Sequence, residues 1–261
     1  MDSKGIEKLV LVGAKGQMGK LLHSRFTAAG VQVSTLDRPF TGKDLPRVLD
    51  SARMVLMAVP VSALDQVLGL VGPVLDPSTV LADICSVKTV PLQKMQALFK
   101  GPVMGTHPLF GPSPAEGEDL KVALCPGNNL KDEDINAVHS LFGRAGIHAF
   151  VTTAREHDQA MACIQGLNFV TTITYFASMP QDIDLDKFAT PSFRRRINAA
   201  HKMLNEDAML FSSLVEDNPY TGQMIRRFKS FLNLSAAGDF ELLTDRALWW
   251  WRNYSNRGGG Q

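Results

Sequence analysis

The sequence has few of the residues that would indicate disulfides, a metal centre or a nucleic-acid partner. Only three cysteines occur among 261 residues, at Cys85, Cys125 and Cys163. They are far apart and form no CxxC pair, which disfavours a disulfide framework or zinc site and favours free thiols in a reducing cytoplasm. Because 27 basic residues balance 26 acidic ones, no excess of positive charge indicates binding to nucleic acid or to an anionic membrane surface.

Long hydrophobic runs are also missing. No window has the roughly 18 apolar residues of a membrane span. The first residues, MDSKGIEKLVLVG, lack the layout of a signal peptide. With 45% hydrophobic and 20% charged residues, the composition is that of a globular protein. We therefore expect a soluble cytoplasmic protein without a metal.

Short β-rich runs alternate with helix-like segments up to about Thr153. The five clearest predicted strands are 9–12, 31–36, 54–59, 79–82 and 103–106, with further candidates at 121–125 and 148–152. This alternation predicts an α/β fold, a Rossmann-type doubly wound parallel sheet over residues 1–153. We expect the usual order of the first five strands, 3-2-1-4-5.

After residue 153 the apolar residues fall at helical spacing, which predicts an all-helical domain over residues 154–261. The predicted helix at 158–178 is apolar on nearly all sides, and Trp250 and Trp251 lie near one face of the last helix. Such surfaces are typical of a homodimer interface, but they are equally compatible with the core of a monomer.

A glycine-rich loop, GAKGQMG at 13–19, follows the first predicted strand and precedes a helix. This context suits a dinucleotide, because small residues let the pyrophosphate approach the backbone at a helix N-terminus. The loop departs from strict GxGxxG, since Ala14 takes the place of the first glycine and Gly13 precedes it. Glycines also occur in ordinary turns, so the loop alone is a weak signal.

Asp37 ends the second predicted strand about 20 residues downstream, where a carboxylate can bind the ribose 2′-hydroxyl and repel a 2′-phosphate. This favours NAD over NADP, although the adjacent Arg38 weakens the preference. The alternative is a simple turn residue before Pro39. The predicted cofactor-binding residues are Gly13, Ala14, Lys15, Gly16, Gln17, Met18, Asp37, Arg38, Val59 and Pro60.

The fourth and fifth predicted strands end at DICSVK and GTHP, which brings Ser86 and His107 to one edge of the sheet. Histidine is the side chain whose ordinary pKa is close to neutrality, so His107 is the candidate general base. Each residue has a simpler interpretation. His107 could belong to a Gly/Pro turn, Ser86 could cap a helix, and Lys88 is either a solvated helix residue or an anion contact.

Four segments then occur in one order: VGAKGQMG, DICSVK, GTHPLFGP and EHDQAMACIQGL. Together they resemble the prephenate dehydrogenase family over nearly the whole chain, and the last two are the most discriminating. The resemblance implies an NAD-dependent oxidative decarboxylation of prephenate to 4-hydroxyphenylpyruvate, in tyrosine biosynthesis. It implies that His107 accepts the C4 hydroxyl proton while Ser86 orients the imidazole or the nicotinamide. It also favours a dimer and the stand-alone form, without a fused chorismate mutase.

The resemblance further implies that Arg194, in PSFR at 191–194, clamps a substrate carboxylate. The run Arg194 to Arg196 leaves the register uncertain by a position and could be a solvated helix face. Many family members carry a histidine near the substrate where this chain has Phe169. That difference could alter the preference between prephenate and its amino analogue arogenate. For His157 we expect a structural role at the start of its helix.

Two other functions remain open from the sequence, besides arogenate dehydrogenase. One is a dehydrogenase of the β-hydroxyacid type, which generally depends on a lysine in the helical domain. Lys187 and Lys202 are available, but neither lies in a convincing motif. The other is a dinucleotide-binding sensor without catalysis.

Overall fold

A seven-stranded sheet forms the centre of the first of two compact units, residues 1–161. This computed structural model describes residues 5–39, 45–205 and 208–256. The strands are β1 Lys8–Val12, β2 Gln32–Leu36, β3 Met54–Met57, β4 Val80–Asp83, β5 Val103–Pro108, β6 Lys121–Pro126 and β7 His148–Val151. The helices of this unit are α1 Gln17–Ala28, α2 Leu45–Leu49, α3 Val61–Val71, α4 Thr89–Leu98, α5 Asp132–Arg144 and α6 Ala154–Met161, with a 3₁₀ turn at Gly72–Val74.

The strand order is β2-β1-β3-β4-β5-β6-β7, so the predicted order 3-2-1-4-5 is wrong. The third strand pairs with β1 and not outside β2. The polarity of the strands explains this, because all four residues of β3 are buried whereas β2 keeps mostly polar, partly exposed residues. A wholly apolar strand belongs in the centre of the sheet and a polar one at its edge. The fourth and fifth strands are neighbours, as expected.

The sheet is mixed, because β6 runs antiparallel to β5. We expected a parallel sheet throughout. The connection from β5 to β6 is the Gly- and Pro-containing segment 109–120, which forms no helix. A parallel crossover needs a dozen or more residues and usually a helix, whereas a return without one gives an antiparallel pair. The other strand pairs are parallel.

Alternate side chains of the central strands enter separate apolar layers. Leu9 and Leu11 of β1 belong to one buried cluster, and Val10 and Val12 belong to another. The same alternation occurs along β3. Because successive side chains of a strand point to opposite faces, helices cover both sides of the sheet. The predicted doubly wound α/β fold is thus confirmed.

In the second unit, residues 162–261, all secondary-structure elements of the described residues are helices or helical turns. It consists of a π-helical turn at Ala162–Leu167, α7 Asn168–Ala177, a 3₁₀ turn at Leu185–Phe188, α8 Pro191–Asn205, α9 Ala208–Asp217, α10 Thr221–Ala236 and α11 Phe240–Ser255. The two units divide after Met161, whereas the sequence suggested a division after Thr153. Helix α6, which we expected in the second domain, therefore packs with the first, where it contacts α4 and β6.

Residues 154–177 form one continuous helical segment of 24 residues. By length and composition alone it could cross a membrane, which the sequence analysis did not anticipate. Core helices of globular proteins pass the same test, so one such helix is weak evidence for a membrane span. Only 22% of its most apolar window is buried.

Candidate active site

The glycine-rich loop after β1 depends on glycine at two positions. Gly13 has φ +87°, and a Cβ atom there would lie 2.4 Å from the carbonyl oxygen of Ala58. A Cβ on Gly19 would lie 2.2 Å from the carbonyl oxygen of Gly13, so α1 packs closely on the loop. Gly13, one position before the strict motif, therefore makes the tight turn, and this explains why Ala14 can be buried where a glycine was expected.

A cleft of about 400 Å³ lies beyond the ends of β1, β2 and β3, where the strand order reverses. Ligands of doubly wound sheets bind at such switch points. The cleft is lined by Val12, Gly13, Lys15, Gly16, Leu36, Asp37, Arg38, Ala58, Val59, Pro60, Ala63 and Val67. Seven of the ten predicted cofactor-binding residues are among these, and Ala14, Gln17 and Met18 are not.

The carboxylate of Asp37 lies beside the glycine loop, where its Oδ1 accepts a hydrogen bond from the backbone amide of Lys15 at 2.9 Å. The exposed guanidinium of Arg38 donates to the side chain of Gln66. The cleft thus combines a backbone that only glycine permits, the start of α1 and an acidic residue at the end of β2. These features fit the pyrophosphate and ribose of a dinucleotide.

His107 lies within β5 and is only 4% exposed. Its Nδ1 is 2.8 Å from Nε2 of His157 on α6. Burial lowers the pKa of His107 well below its ordinary value, positive charge at His157 or Lys88 lowers it further, and Asp158 opposes the shift. The imidazole of His107 is therefore neutral at neutral pH, as a general base must be.

Asp158 connects His157 to the start of α4. Its Oδ1 is 2.8 Å from Nδ1 of His157 and accepts a hydrogen bond from the backbone amide of Lys88 at 2.7 Å. Its Oδ2 accepts from the backbone amide of Thr89 at 2.8 Å. Burial alone would raise the pKa of Asp158, but the hydrogen bonds from His157, Thr89 and Lys88 together hold it below its ordinary value. The carboxylate is thus ionised.

The prediction that Lys88 contacts the substrate is wrong. Its side chain is fully enclosed, with Nζ 2.5 Å from Oδ2 of Asp83 and 2.6 Å from the carbonyl oxygen of Thr106. An ammonium group in the protein interior needs a counter-charge and hydrogen-bond acceptors, and here it has both. Lys88 therefore joins the end of β4 to β5 and has no surface to offer a ligand.

Ser86 lies half-buried in the turn between β4 and α4. Helix α4 begins at Thr89 with Lys88 in the cap position, so Ser86 is not its N-cap. The side chain that is hydrogen-bonded to the His107 ring is that of His157 and not that of Ser86. Sequence reasoning gave His157 a structural role and missed this contact. The adjacent His157-Asp158 pair in the EHD segment was the available signal.

In the second unit, Phe169 is buried and stacks on Phe211, with ring centroids 5.4 Å apart. The three arginines of α8 differ in their surroundings. The guanidinium of Arg196 lies 3.5 Å from the centroid of the Tyr175 ring, while Arg194 is exposed. Arg195 makes a long hydrogen bond, 3.5 Å, to the hydroxyl of Ser192.

Neither lysine of the β-hydroxyacid hypothesis gains support. Lys187 is exposed and 3.3 Å from Asp184, and the side chain of Lys202 lies outside the described residues. Within the described ranges, no group of three or more His, Cys, Asp or Glu residues could hold a metal ion.

A doubly wound sheet that carries such a cleft at its switch point is a nucleotide-binding domain. Residues 28–151 match the family model described as "Prephenate dehydrogenase, nucleotide-binding domain". This region of the chain therefore resembles the nucleotide-binding domain of the prephenate dehydrogenase family, as the sequence resemblance predicted.

Relatives and solved structures agree with this assignment. The chain is 30% identical over 230 residues to the T-protein of Enterobacter agglomerans, covering 85% of this chain but only 60% of that protein. A crystal structure of prephenate dehydrogenase from A. aeolicus, in complex with hydroxyphenyl propionate and NAD+, has a TM-score of 0.78 at 14% identity and covers 98% of each chain. Synechocystis arogenate dehydrogenase has a TM-score of 0.73 at 20% identity, over 96% of this chain and 99% of that one. At these identities the structures support the fold.

Proposed function

We propose that this protein oxidatively decarboxylates prephenate to 4-hydroxyphenylpyruvate with NAD+ as the hydride acceptor, in tyrosine biosynthesis. The observation that carries the proposal is a neutral, buried His107, held through Nδ1, in the sheet whose switch point forms the nucleotide cleft. The match of residues 28–151 to the prephenate dehydrogenase family model supports the substrate class. A sensor without catalysis would have no use for a desolvated base.

In the proposed reaction, Nε2 of His107 accepts the proton of the C4 hydroxyl while hydride leaves C4. Bound NAD+ supplies the chemistry of accepting that hydride. Loss of carbon dioxide then returns an electron pair to the ring, which becomes aromatic with a phenolate oxygen at C4. The protonated His107 returns its proton to this oxygen, so the histidine is neutral again after each turnover. General base catalysis of this kind typically contributes about 10² to 10⁴ in rate.

NAD is the proposed cofactor because the cleft carries Asp37 at the position that faces the ribose in such folds. A carboxylate accepts hydrogen bonds from a ribose diol and repels a 2′-phosphate. Arg38 could attract that phosphate, but its guanidinium is hydrogen-bonded to Gln66. The solved A. aeolicus relative contains NAD+, which supports the same choice.

Prephenate and arogenate differ only in the side chain, which ends in a keto acid or an amino acid, so the chemistry proposed for His107 applies to both. Solved structures with a similar fold include an arogenate dehydrogenase and a prephenate dehydrogenase. A steady-state assay that pairs both substrates with NAD+ and NADP+ tests the proposal. We expect the highest kcat/KM for prephenate with NAD+. Folded protein that binds NAD+ but reduces it with neither substrate would refute the function.

Arg194→Ala is expected to raise the KM for substrate, with a smaller change in kcat, because a guanidinium clamps a carboxylate in ground state and transition state alike. All three arginines of the run are exposed, but the guanidinium of Arg196 stacks on Tyr175 and that of Arg195 is hydrogen-bonded to Ser192. Arg195→Ala is the matched control and should leave the KM unchanged. If Arg195→Ala raises the KM and Arg194→Ala does not, the arginine that binds the substrate is Arg195.

The activity should persist to unusually acidic pH. Catalysis needs neutral His107, and its pKa is lowered, so the base stays competent as the pH falls through 6.5 and is lost only below that value. We therefore expect the acidic limb of kcat/KM against pH to have an apparent pKa below 6.5. A limb at or above 6.5, with the protein still folded by circular dichroism, would contradict a desolvated base.

We also propose that the enzyme is a cytoplasmic homodimer. The second unit exposes large aromatic side chains, among them Phe240 at 64%, Trp249 at 66% and Trp251 at 63%. Surfaces of this kind are typical of interfaces. The three cysteines form no CxxC pair and two of them are buried, which is compatible with a reducing compartment. Light scattering after gel filtration measures the mass and tests the dimer.

A further inference from the structure

We propose that Asp158 and His157 fix the tautomer of His107, so that its Nε2 carries the lone pair that accepts the substrate proton. This assigns His157 a positioning role in place of the structural one expected from the sequence. The proposal rests on the proposed function only for the identity of the proton that is removed. The tautomer itself is a property of the protein without substrate.

The first step is the orientation of His157. An ionised carboxylate only accepts hydrogen bonds, and Oδ1 of Asp158 lies 2.8 Å from Nδ1 of His157. In the neutral form of His157, the single ring hydrogen therefore lies on Nδ1. Its Nε2 then carries a lone pair and can only accept a hydrogen bond.

The second step is the direction of the hydrogen bond between His157 and His107. Nε2 of His157 lies 2.8 Å from Nδ1 of His107, so the hydrogen between them belongs to His107. Neutral histidine has one N–H, and in His107 it is used in this contact. Nε2 of His107 is left as the basic nitrogen. A proton on Nε2 of His157 would reverse the contact, place the hydrogen of His107 on its own Nε2 and remove the base.

The third step is the rigidity of the relay. Asp158 is held by backbone amides at the start of α4, which cannot exchange donor for acceptor as a side-chain amide or hydroxyl can. The charged groups around the two imidazoles are arranged in pairs. Lys88 is bonded to Asp83, and Glu156, at the exposed start of α6, accepts from the hydroxyl of Thr152. The relay thus runs from fixed backbone through Asp158 and His157 to His107.

Two variants of His157 distinguish its proposed positioning role from a role in packing alone. In His157→Leu the acceptor for Nδ1 of His107 is lost, and we expect kcat to fall about 10- to 100-fold with the KM within about threefold, as for a group that sets a tautomer. In His157→Gln the amide nitrogen can face Asp158 and the carbonyl oxygen can accept from His107, so most of the loss should be recovered. His139→Leu, on the exposed face of α5, is the matched control. Thermal unfolding of each variant accounts for changes in stability.

If the role of His157 is purely structural, activity should fall only in proportion to the loss of folded protein. His157→Gln should then be no more active than His157→Leu. Wild-type kcat in His157→Leu would overturn the proposal, and so would equal kcat values in folded His157→Leu and His157→Gln.

The tautomer can be measured without activity, by nitrogen NMR of protein labelled with ¹⁵N-histidine. The chain has six histidines, and the signals of His107 are those that disappear in His107→Asn. We expect a pyrrole-like Nδ1 and a pyridine-like Nε2 in the wild type, and a mixture of tautomers in His157→Leu. A pyrrole-like Nε2 in the wild type would overturn the relay whatever the assays show. The expected spectrum in a protein that turns over neither substrate would instead refute only the proposed function.

Discussion

Replacement of His107 by asparagine is expected to lower kcat for prephenate by about 10² to 10⁴, the usual contribution of a general base. Asparagine is smaller and polar, and its amide can still donate a hydrogen bond towards Nε2 of His157. It has no basic nitrogen, however, so the C4 hydroxyl would lose its proton to water or not at all. Steady-state kinetics at saturating NAD+ measure the effect.

The control for this variant is His148→Asn, the same substitution at an exposed position of β7 in the same unit. It should leave kcat unchanged. Binding of NAD+, measured by calorimetry, should be the same in both variants, because the cleft is built from the ends of β1, β2 and β3. Unchanged turnover in His107→Asn would refute the base. Parallel loss of turnover and NAD+ binding would indicate damage to the fold instead.

The features of the fold that were predicted correctly are encoded locally. Strands such as β1 are short apolar runs, and the loop after β1 shows its glycines directly in the sequence. The division between an α/β half and a helical half follows from periodicity, which is also local. The predicted division lies eight residues before the observed one. Helix α6 has helical periodicity wherever the boundary is placed, and only its packing against α4 and β6 assigns it to the first unit.

Strand order and the inner contacts of the site depend on residues that are distant in sequence. The place of β3 between β1 and β4 could have been anticipated from the polarity of β2, since a strand such as QVSTL suits an edge. The burial of Lys88 could not, because a lysine after a strand is usually solvated. Likewise His107 and His157 are 50 residues apart, so the His157-Asp158 pair could mark a candidate site but could not show that the two imidazole rings meet.

Lys88→Met is expected to destabilise the first unit by about 3–5 kcal/mol, the usual cost of breaking a buried ion pair by removing one partner. Methionine fills most of the space of the lysine side chain, so the loss is electrostatic. Without the ammonium, Asp83 keeps a hydrogen bond from the backbone amide of Cys85 to Oδ2, while Oδ1 has no hydrogen-bond partner among the described residues. An enclosed carboxylate in that state is poorly compensated.

Urea unfolding followed by far-UV circular dichroism measures this change. Tryptophan fluorescence would not, since the three tryptophans, Trp249 to Trp251, all lie in the second unit. The matched control is Lys94→Met, which breaks a 2.6 Å pair with the exposed Asp65 and should cost less than about 1 kcal/mol.

A second variant tests whether the charge of Asp83 is the cause. Asp83→Asn combined with Lys88→Met removes both charges of this pair, so it should recover part of the stability that Lys88→Met alone loses. If Lys88→Met lowers the free energy of unfolding by no more than Lys94→Met does, the buried pair does not stabilise the contact between β4 and β5.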